Sequence, residues 1–173
     1  MKAAVVYESW FGNTKQIAEV IATELRRDGE VALLSVDDPP PPLDELDLLV
    51  VGAPTHIHGL SSAMSRKSAV EQGHDPGPPG VGVRGWLKEL PEVQGRRAAA
   101  FDTRIEKPVV LVGSAARGIA KRLRRHGFEL VVPPMSFFVL DAEGPLKDGD
   151  LERAREWARE LVAAVRAVPA QVA

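Results

Sequence analysis

The sequence has no cysteine among its 173 residues, so disulfides, thiolate metal sites and cysteine nucleophiles are excluded. It also has no strong excess of one charge. The formal net charge is −2, which argues against binding of nucleic acid through a basic field. Every apolar run is shorter than the roughly 20 residues of a membrane helix, and the first is too short for a signal peptide. We therefore expect a cytoplasmic protein that binds no nucleic acid and has no membrane span.

The composition that is present is that of an ordinary globular protein. Hydrophobic residues make up 45% and charged residues 27% of the chain, a balance typical of soluble proteins. A length of 173 residues suits one domain with a substantial core. We therefore predict a single domain over residues 1–173.

Strand-like and helical patterns alternate along the chain. Apolar runs predict five strands, at Lys2–Tyr7, Val31–Val36, Leu46–Val51, Arg97–Thr103 and Phe128–Val132, the last with an extension towards Leu140. Helical spacing and flanking Gly, Asp or Ser predict helices at Lys15–Arg27, Ser61–Gln72, Gly85–Leu90, Ser114–His126 and Asp150–Arg166. Residues 109–112 fit either a strand or the entry to the following helix.

Two segments are rich in proline. Asp37–Pro42 contains four consecutive prolines, which predicts a stiff, extended connector. Gly73–Gly85 is rich in both Gly and Pro, which predicts a mobile loop.

Alternation of strands and helices predicts an α/β fold of three layers. We expect a five-stranded parallel sheet of order 2-1-3-4-5 with helices on both faces. Ligands bind such sheets outside the carboxyl ends of the strands, where the strand order reverses, here between the first and third strands. Three loops are expected to meet there: Ser9–Thr14, Pro54–Gly59 and Asp102–Lys107.

The first of these loops has the composition of an anion site. Ser9 and Thr14 offer hydroxyls, Asn13 offers an amide, and Gly12 lets the backbone approach a ligand closely. The loop leads straight into a helix, whose free N–H groups and dipole favour a phosphate. A plain capped turn remains the alternative. The spacing matches neither a P-loop nor the G-x-G-x-x-G dinucleotide fingerprint.

The segment Val6-Tyr7-x-Ser9-x-x-Gly12-Asn13-Thr14 resembles the FMN phosphate loop of flavodoxins and flavodoxin-like reductases. The resemblance implies the fold predicted above, with FMN as the cofactor at the switch point. It further implies that the phosphate is wrapped by Ser9, Trp10, Phe11, Gly12, Asn13 and Thr14. The sequence departs from the family at Trp10 and Phe11, where flavodoxins typically have small hydroxyl residues.

The resemblance extends to the other two loops. It implies that Pro54 and Thr55 line the flavin ring and that His56 takes the place of a stacking Trp. It also implies that Asp102 and Thr103 support the pyrimidine edge. Arg104 then lies either near N1 and O2 of the flavin, where a cation raises the reduction potential, or on a solvent-facing surface.

Three functions fit these features. The first is a flavodoxin-type electron carrier for redox partner proteins, although a near-balanced charge is unusual for flavodoxins. The second is an NAD(P)H-dependent quinone reductase with a small acceptor, and the third is a flavodoxin-like binding or regulatory module that has lost FMN. The basic run Lys121–Arg125 is interpreted as a solvated helix face, with an acidic partner or a pyridine-nucleotide phosphate as alternatives. The pair His56 and His58 is weak support for a metal, so none is predicted.

Overall fold

A computed structural model describes residues 1–55 and 82–167. The strands are β1 (Lys2–Tyr7), β2 (Glu30–Ser35), β3 (Leu48–Pro54), β4 (Arg97–Ile105), β5 (Glu129–Leu130) and β6 (Met135–Val139). The helices are α1 (Asn13–Leu25), α2 (Gly82–Lys88), α3 (Val109–Val112), α4 (Ala115–Arg125) and α5 (Asp150–Ala167). Short 3₁₀ turns lie at Arg26–Asp28 and Leu43–Glu45.

The strands form one parallel sheet of order β2-β1-β3-β4-β5, which confirms the predicted order. The predicted fifth strand is split in two, and both parts pair with β4. β5 lies beside Arg97 and Ala98, and β6 lies beside Phe101–Ile105. Pro133 and Pro134 fall in the interruption, where the missing N–H groups of proline cannot extend the ladder.

Both faces of the sheet are covered, and each carries its own hydrophobic cluster. On one face, α1 and α5 pack through residues that include Ile17, Leu25 and Trp157. On the other face, α2 and α4 pack through residues that include Trp86 and Ile119. Burial on both sides explains why β1 and β3 are continuous apolar runs in the sequence.

The connector between β2 and β3 crosses the face of the sheet that α2 covers, and it contains no α-helix. Residues 39–42 are prolines, and only the short turn Leu43–Glu45 follows them. A cavity of about 730 Å³ lies between this connector and the segment Trp86–Arg96. It shares no lining residue with the cavity at the switch point.

Several boundaries differ from the sequence-based predictions. α1 begins at Asn13, two residues earlier than expected, because Gly12 adopts the left-handed conformation that precedes the helix. Residues 109–112 form a helical turn, which settles the open alternative against a strand. The predicted helix Ser61–Gln72 and nearly all of the loop Gly73–Gly85 lie outside the described residues. In residues 1–55 and 82–167, no helix is both long and apolar enough for a membrane span.

Candidate functional site

The loop after β1, the end of β3 with Thr55, and the end of β4 with the segment after it meet around a cavity of about 260 Å³. This edge holds the carboxyl ends of the strands, as the switch-point rule predicts. The predicted residues that line the cavity are Ser9, Trp10, Phe11, Asn13, Thr14, Pro54, Thr55, Thr103 and Arg104. Gly12 lies within the first loop, Asp102 lies beneath the cavity wall, and His56 is outside the described residues.

The N-terminus of α1 faces this cavity and is only partly closed by a side chain. Gly12 has φ +84°, and a Cβ there would meet open space, so glycine is required by the backbone conformation alone. The amide of Lys15 donates to Ser9 Oγ at 3.2 Å. Within the described part of the chain, the amides of Asn13 and Thr14 donate to no acceptor. Two free N–H groups at the positive end of a helix form an anion-binding feature.

The N-terminus of α4, by contrast, is closed. Asp102 is fully buried, and its Oδ2 accepts hydrogen bonds from Thr55 Oγ1 at 2.9 Å, Ser114 Oγ at 2.7 Å and the Ala116 amide at 2.9 Å. Its Oδ1 has no partner among the described residues. Asp102 therefore holds the helix terminus together, and its expected contact with a flavin edge stays a prediction.

Thr55 links this cap to the cavity wall. Its hydroxyl donates to Asp102 and accepts from the Ala115 amide at 2.8 Å. Ser114 Oγ accepts from the Arg117 amide at 3.2 Å and is the N-cap of α4. The hydroxyls of Thr55 and Ser114 each donate one hydrogen bond and accept another. These contacts fix the position of Thr55 before any ligand binds.

Thr14 and Thr103 join the first and third loops. Their hydroxyl oxygens lie 2.7 Å apart, and the two residues are 1% and 4% exposed. Only one hydrogen can lie between the two oxygens. The hydrogen of the accepting hydroxyl therefore remains available to a third group in the cavity.

Asn13 connects the first loop with the turn after β6. Its Nδ2 donates to the Glu143 carbonyl at 2.9 Å. Gly144 has φ +113°, and a Cβ there would lie 2.7 Å from Asn13 Oδ1. The turn therefore packs closely over Asn13, and Ala142 of the same turn lines the cavity.

Glu8 is a buried carboxylate that the sequence analysis missed. Its Oε1 accepts from Trp10 Nε1 and its Oε2 accepts from the Val83 amide, both at 2.9 Å. These contacts tie the indole of Trp10 to the end of β1 and join the first loop to α2. A single Glu between a strand and a polar loop gives no signal of burial in the sequence, so this role could not be predicted.

Arg104 is held along the cavity wall by the strand beside it. Its Nε donates to Ser136 Oγ at 3.1 Å, and its Nη1 donates to the Lys107 carbonyl at 2.7 Å. The guanidinium also lies 5.0 Å from the centre of the Phe138 ring. These contacts fix a positive charge at the cavity.

Apolar residues complete the wall, and the sequence analysis did not assign them to the site. They are Ile105, Leu111, Val112, Val139 and Ala142. Leu111 is 61% exposed, and the adjacent Val110 is 87% exposed. The signal in the sequence was the apolar run at 109–112, which was interpreted only as secondary structure.

Comparison with known proteins supports the fold and the first loop. A family model described as the flavodoxin domain matches residues 4–67. No curated protein matches the chain.

Solved structures match along nearly the whole chain. A flavodoxin from the domain Archaea is 24% identical, with a TM-score of 0.65, and the match covers 96% of this chain and 99% of the other. Flavodoxin 2 from Bacillus cereus is 21% identical, with a TM-score of 0.66 and coverage of 94% and 99%. A flavodoxin, WrbA-like protein from Agrobacterium tumefaciens is 20% identical, with a TM-score of 0.60 and coverage of 96% and 98%. The predicted resemblance is thereby confirmed, and the chain is flavodoxin-like, in its fold along almost its full length and in its sequence over residues 4–67.

Proposed function

We propose that this protein binds FMN at the switch-point cavity and serves as an electron carrier of the flavodoxin type. The observation that carries the proposal is the N-terminus of α1 beside the cavity, where the amides of Asn13 and Thr14 donate to no acceptor among the described residues. A phosphate monoester is the ligand group that such a terminus favours.

The donor set fits the phosphate of FMN. Ser9, Asn13 and Thr14 supply hydroxyl and amide groups, and Gly12 leaves its side of the loop open to a ligand. All of these donors are uncharged, so the site binds an anion through hydrogen bonds and the helix dipole rather than through a salt bridge. Trp10 and Phe11 would contribute backbone groups to the loop.

The remaining wall fits the flavin ring. Leu111 and Val112 offer apolar contact, Pro54 and Thr55 offer a rigid edge, and Arg104 offers a fixed positive charge. FMN, when bound, supplies electron chemistry that no side chain of this protein provides. The protein would hold the ring, exclude water from it and stabilise negative charge near it.

A comparison of FMN with riboflavin tests the proposal directly, because the two ligands differ only in the phosphate. Each ligand is titrated into the purified, flavin-free protein, and binding is followed by quenching of flavin fluorescence. We expect FMN to bind at least about tenfold more tightly, since hydrogen bonds to a charged group contribute about 1.5–3 kcal/mol each. Equal affinities would remove the phosphate site from the proposal, and no binding of either ligand would favour a module that has lost FMN.

A reductase of small acceptors is the second candidate. It is favoured by the exposed apolar groups Val110 and Leu111, of which Leu111 lines the cavity, because an apolar acceptor such as a quinone would gain from contact with them. Rapid mixing of the FMN-loaded protein with NADPH separates the two functions. Fast bleaching of the flavin absorption without a partner reductase supports the enzyme, and an unchanged spectrum supports the carrier.

A further inference from the structure

The outward face of α4 carries positive charge only. Its exposed or half-buried side chains include Arg117, Lys121, Arg122, Arg124 and Arg125. The sequence contains no Asp or Glu between Glu106 and Glu129. A chain with a formal net charge of −2 therefore concentrates cations on one helix.

These cations have no ion-pair partner in the part of the chain that the structure describes. Among the described residues, no carboxylate lies within ion-pair distance of Arg117, Lys121, Arg122, Arg124 or Arg125. The arginines of α5 behave differently. For example, Arg155 pairs with Glu152 at 2.7 Å and Arg159 pairs with Glu24 at 2.9 Å.

Arg122 lies near other cations. Burial lowers the pKa of Arg122, and the nearby cations Arg84 and Arg125 lower it further. Arg84 belongs to α2, which packs beside α4. The face therefore contains like charges close enough to repel one another, a cost that an anionic partner would relieve.

The basic face also has a defined position relative to the candidate site. α4 begins next to Ser114, which bonds Asp102 beneath the cavity, and Leu111 and Val112 of the preceding turn line the cavity itself. The 11 residues of α4 extend about 16 Å away from that edge. Arg117 lies in the first turn of α4, at the end nearest the cavity, whereas Arg124 and Arg125 lie in its last turn, at the opposite end.

We propose that the outward face of α4 is a docking surface for a protein with an acidic surface patch. The row of cations is about as long as α4, so a compact acidic patch on a partner protein can contact all of it. Opposite charges also steer the two surfaces together. Nucleic acid is a poorer match. No aromatic residue on α4 offers a base a stacking surface, and the chain has a net negative charge that repels a longer polyanion. The surface does not require the proposed FMN site.

A peptide of 12 glutamates with a fluorescent label serves as the probe, and its binding is followed by fluorescence anisotropy at low and at physiological salt. The test variant is Lys121→Gln/Arg124→Gln, and the matched control is Arg26→Gln/Arg166→Gln. Both variants remove two exposed cations, and the control removes them on the α1 and α5 side of the sheet. Circular dichroism verifies that each variant is folded.

We expect the wild type and the control to bind the peptide with similar affinity. The test variant is expected to bind about tenfold more weakly, with a smaller dependence on salt. Equal losses in the two variants, or no binding by the wild type at low salt, would overturn the proposal. Tighter binding of a 12-nucleotide DNA strand than of the peptide would overturn it in favour of nucleic acid. Because the flavin-free protein is used, failure here is distinguishable from failure to bind FMN.

Discussion

The hydroxyls of Thr14 and Thr103 lie 2.7 Å apart, although 89 residues separate them in the sequence. This contact joins the start of α1 to the end of β4 and so fixes two sides of the candidate site relative to each other. The accepting hydroxyl of the two keeps a hydrogen that it can donate to a further acceptor. The pair therefore has a structural role in the free protein and a proposed binding role with FMN.

Substitution of this pair tests both roles. Thr14→Val removes one hydroxyl at nearly constant shape, and we expect FMN affinity to fall by roughly 1–3 kcal/mol because a hydrogen bond to the phosphate is lost. Thr14→Ser keeps the hydroxyl and is the control. The free energy of unfolding in urea is then measured for the flavin-free single variants Thr14→Val and Thr103→Val and for the double variant. We expect the effect of the double variant to differ from the sum of the two single effects by about 0.5–1.5 kcal/mol. Strict additivity would show that the contact does not contribute to stability.

Gly12 is expected to be needed for its backbone conformation. Gly12→Ala adds a Cβ that meets open space, but the residue must keep φ +84°, at a cost of about 1–2 kcal/mol. We expect lower stability in urea unfolding and weaker FMN binding, with partial recovery in Gly12→Asn, since Asn tolerates this conformation better.

Gly149 provides a matched control for this prediction. It has φ +88°, a Cβ there also meets open space, and it does not line the cavity. Gly149→Ala should therefore lose similar stability while FMN affinity stays unchanged. If both variants lose FMN affinity equally, the effect of Gly12 is general destabilisation and not a property of the loop.

Tyr7 gives a direct spectroscopic test of the structure, because it is the only tyrosine in the sequence. Burial raises its pKa, and the negative charges of Glu19 and Asp38 raise it further. Titration of tyrosinate absorbance should give a midpoint above the ordinary value of about 10 in the folded protein and near that value in denaturant. The raised pKa of Tyr7 stabilises the folded protein at pH values below the pKa of Tyr7 in the unfolded chain. This stabilisation is lost as the pH rises through the pKa of Tyr7 in the folded protein. A folded midpoint at or below the denatured one would contradict the half-buried position of Tyr7.

The sequence was sufficient to predict the strand order and the position of the first loop. β1 and β3 are unbroken apolar runs, and the change to helical spacing after Thr14 marks α1 clearly. These are local patterns with a known period. The same reasoning placed the three loops at one edge, because parallel strands share that edge.

The roles of Glu8 and Asp102 could not be predicted in this way. Both carboxylates are buried, at 6% and 0% exposure, and each is stabilised by donors distant in the sequence, such as the Val83 amide for Glu8. Whether a carboxylate is solvated or buried depends on which amides the tertiary fold brings to it. That information is absent from the local pattern around either residue.

The link between α1 and α5 through Glu24 and Arg159 is expected to make stability depend on acid pH. Glu24 is buried at 5% exposure, and Arg159 Nε donates to its Oε1 at 2.9 Å. The hydrogen bond from Arg159 is the largest cause of a lowered pKa for Glu24, whereas burial acts in the opposite direction. A lowered folded pKa gives stability that is present above the ordinary value of about 4.3 and is lost as pH falls through the folded pKa. Urea unfolding between neutral pH and pH 3 should therefore show a steeper loss of the free energy of unfolding for the wild type than for Glu24→Gln.

Glu19→Gln is the control, because Glu19 is 48% exposed and lies 3.9 Å from Lys15. The pH dependence of this variant's stability should match that of the wild type. If Glu24→Gln also matches the wild type, the contact between Glu24 and Arg159 does not stabilise the charged form.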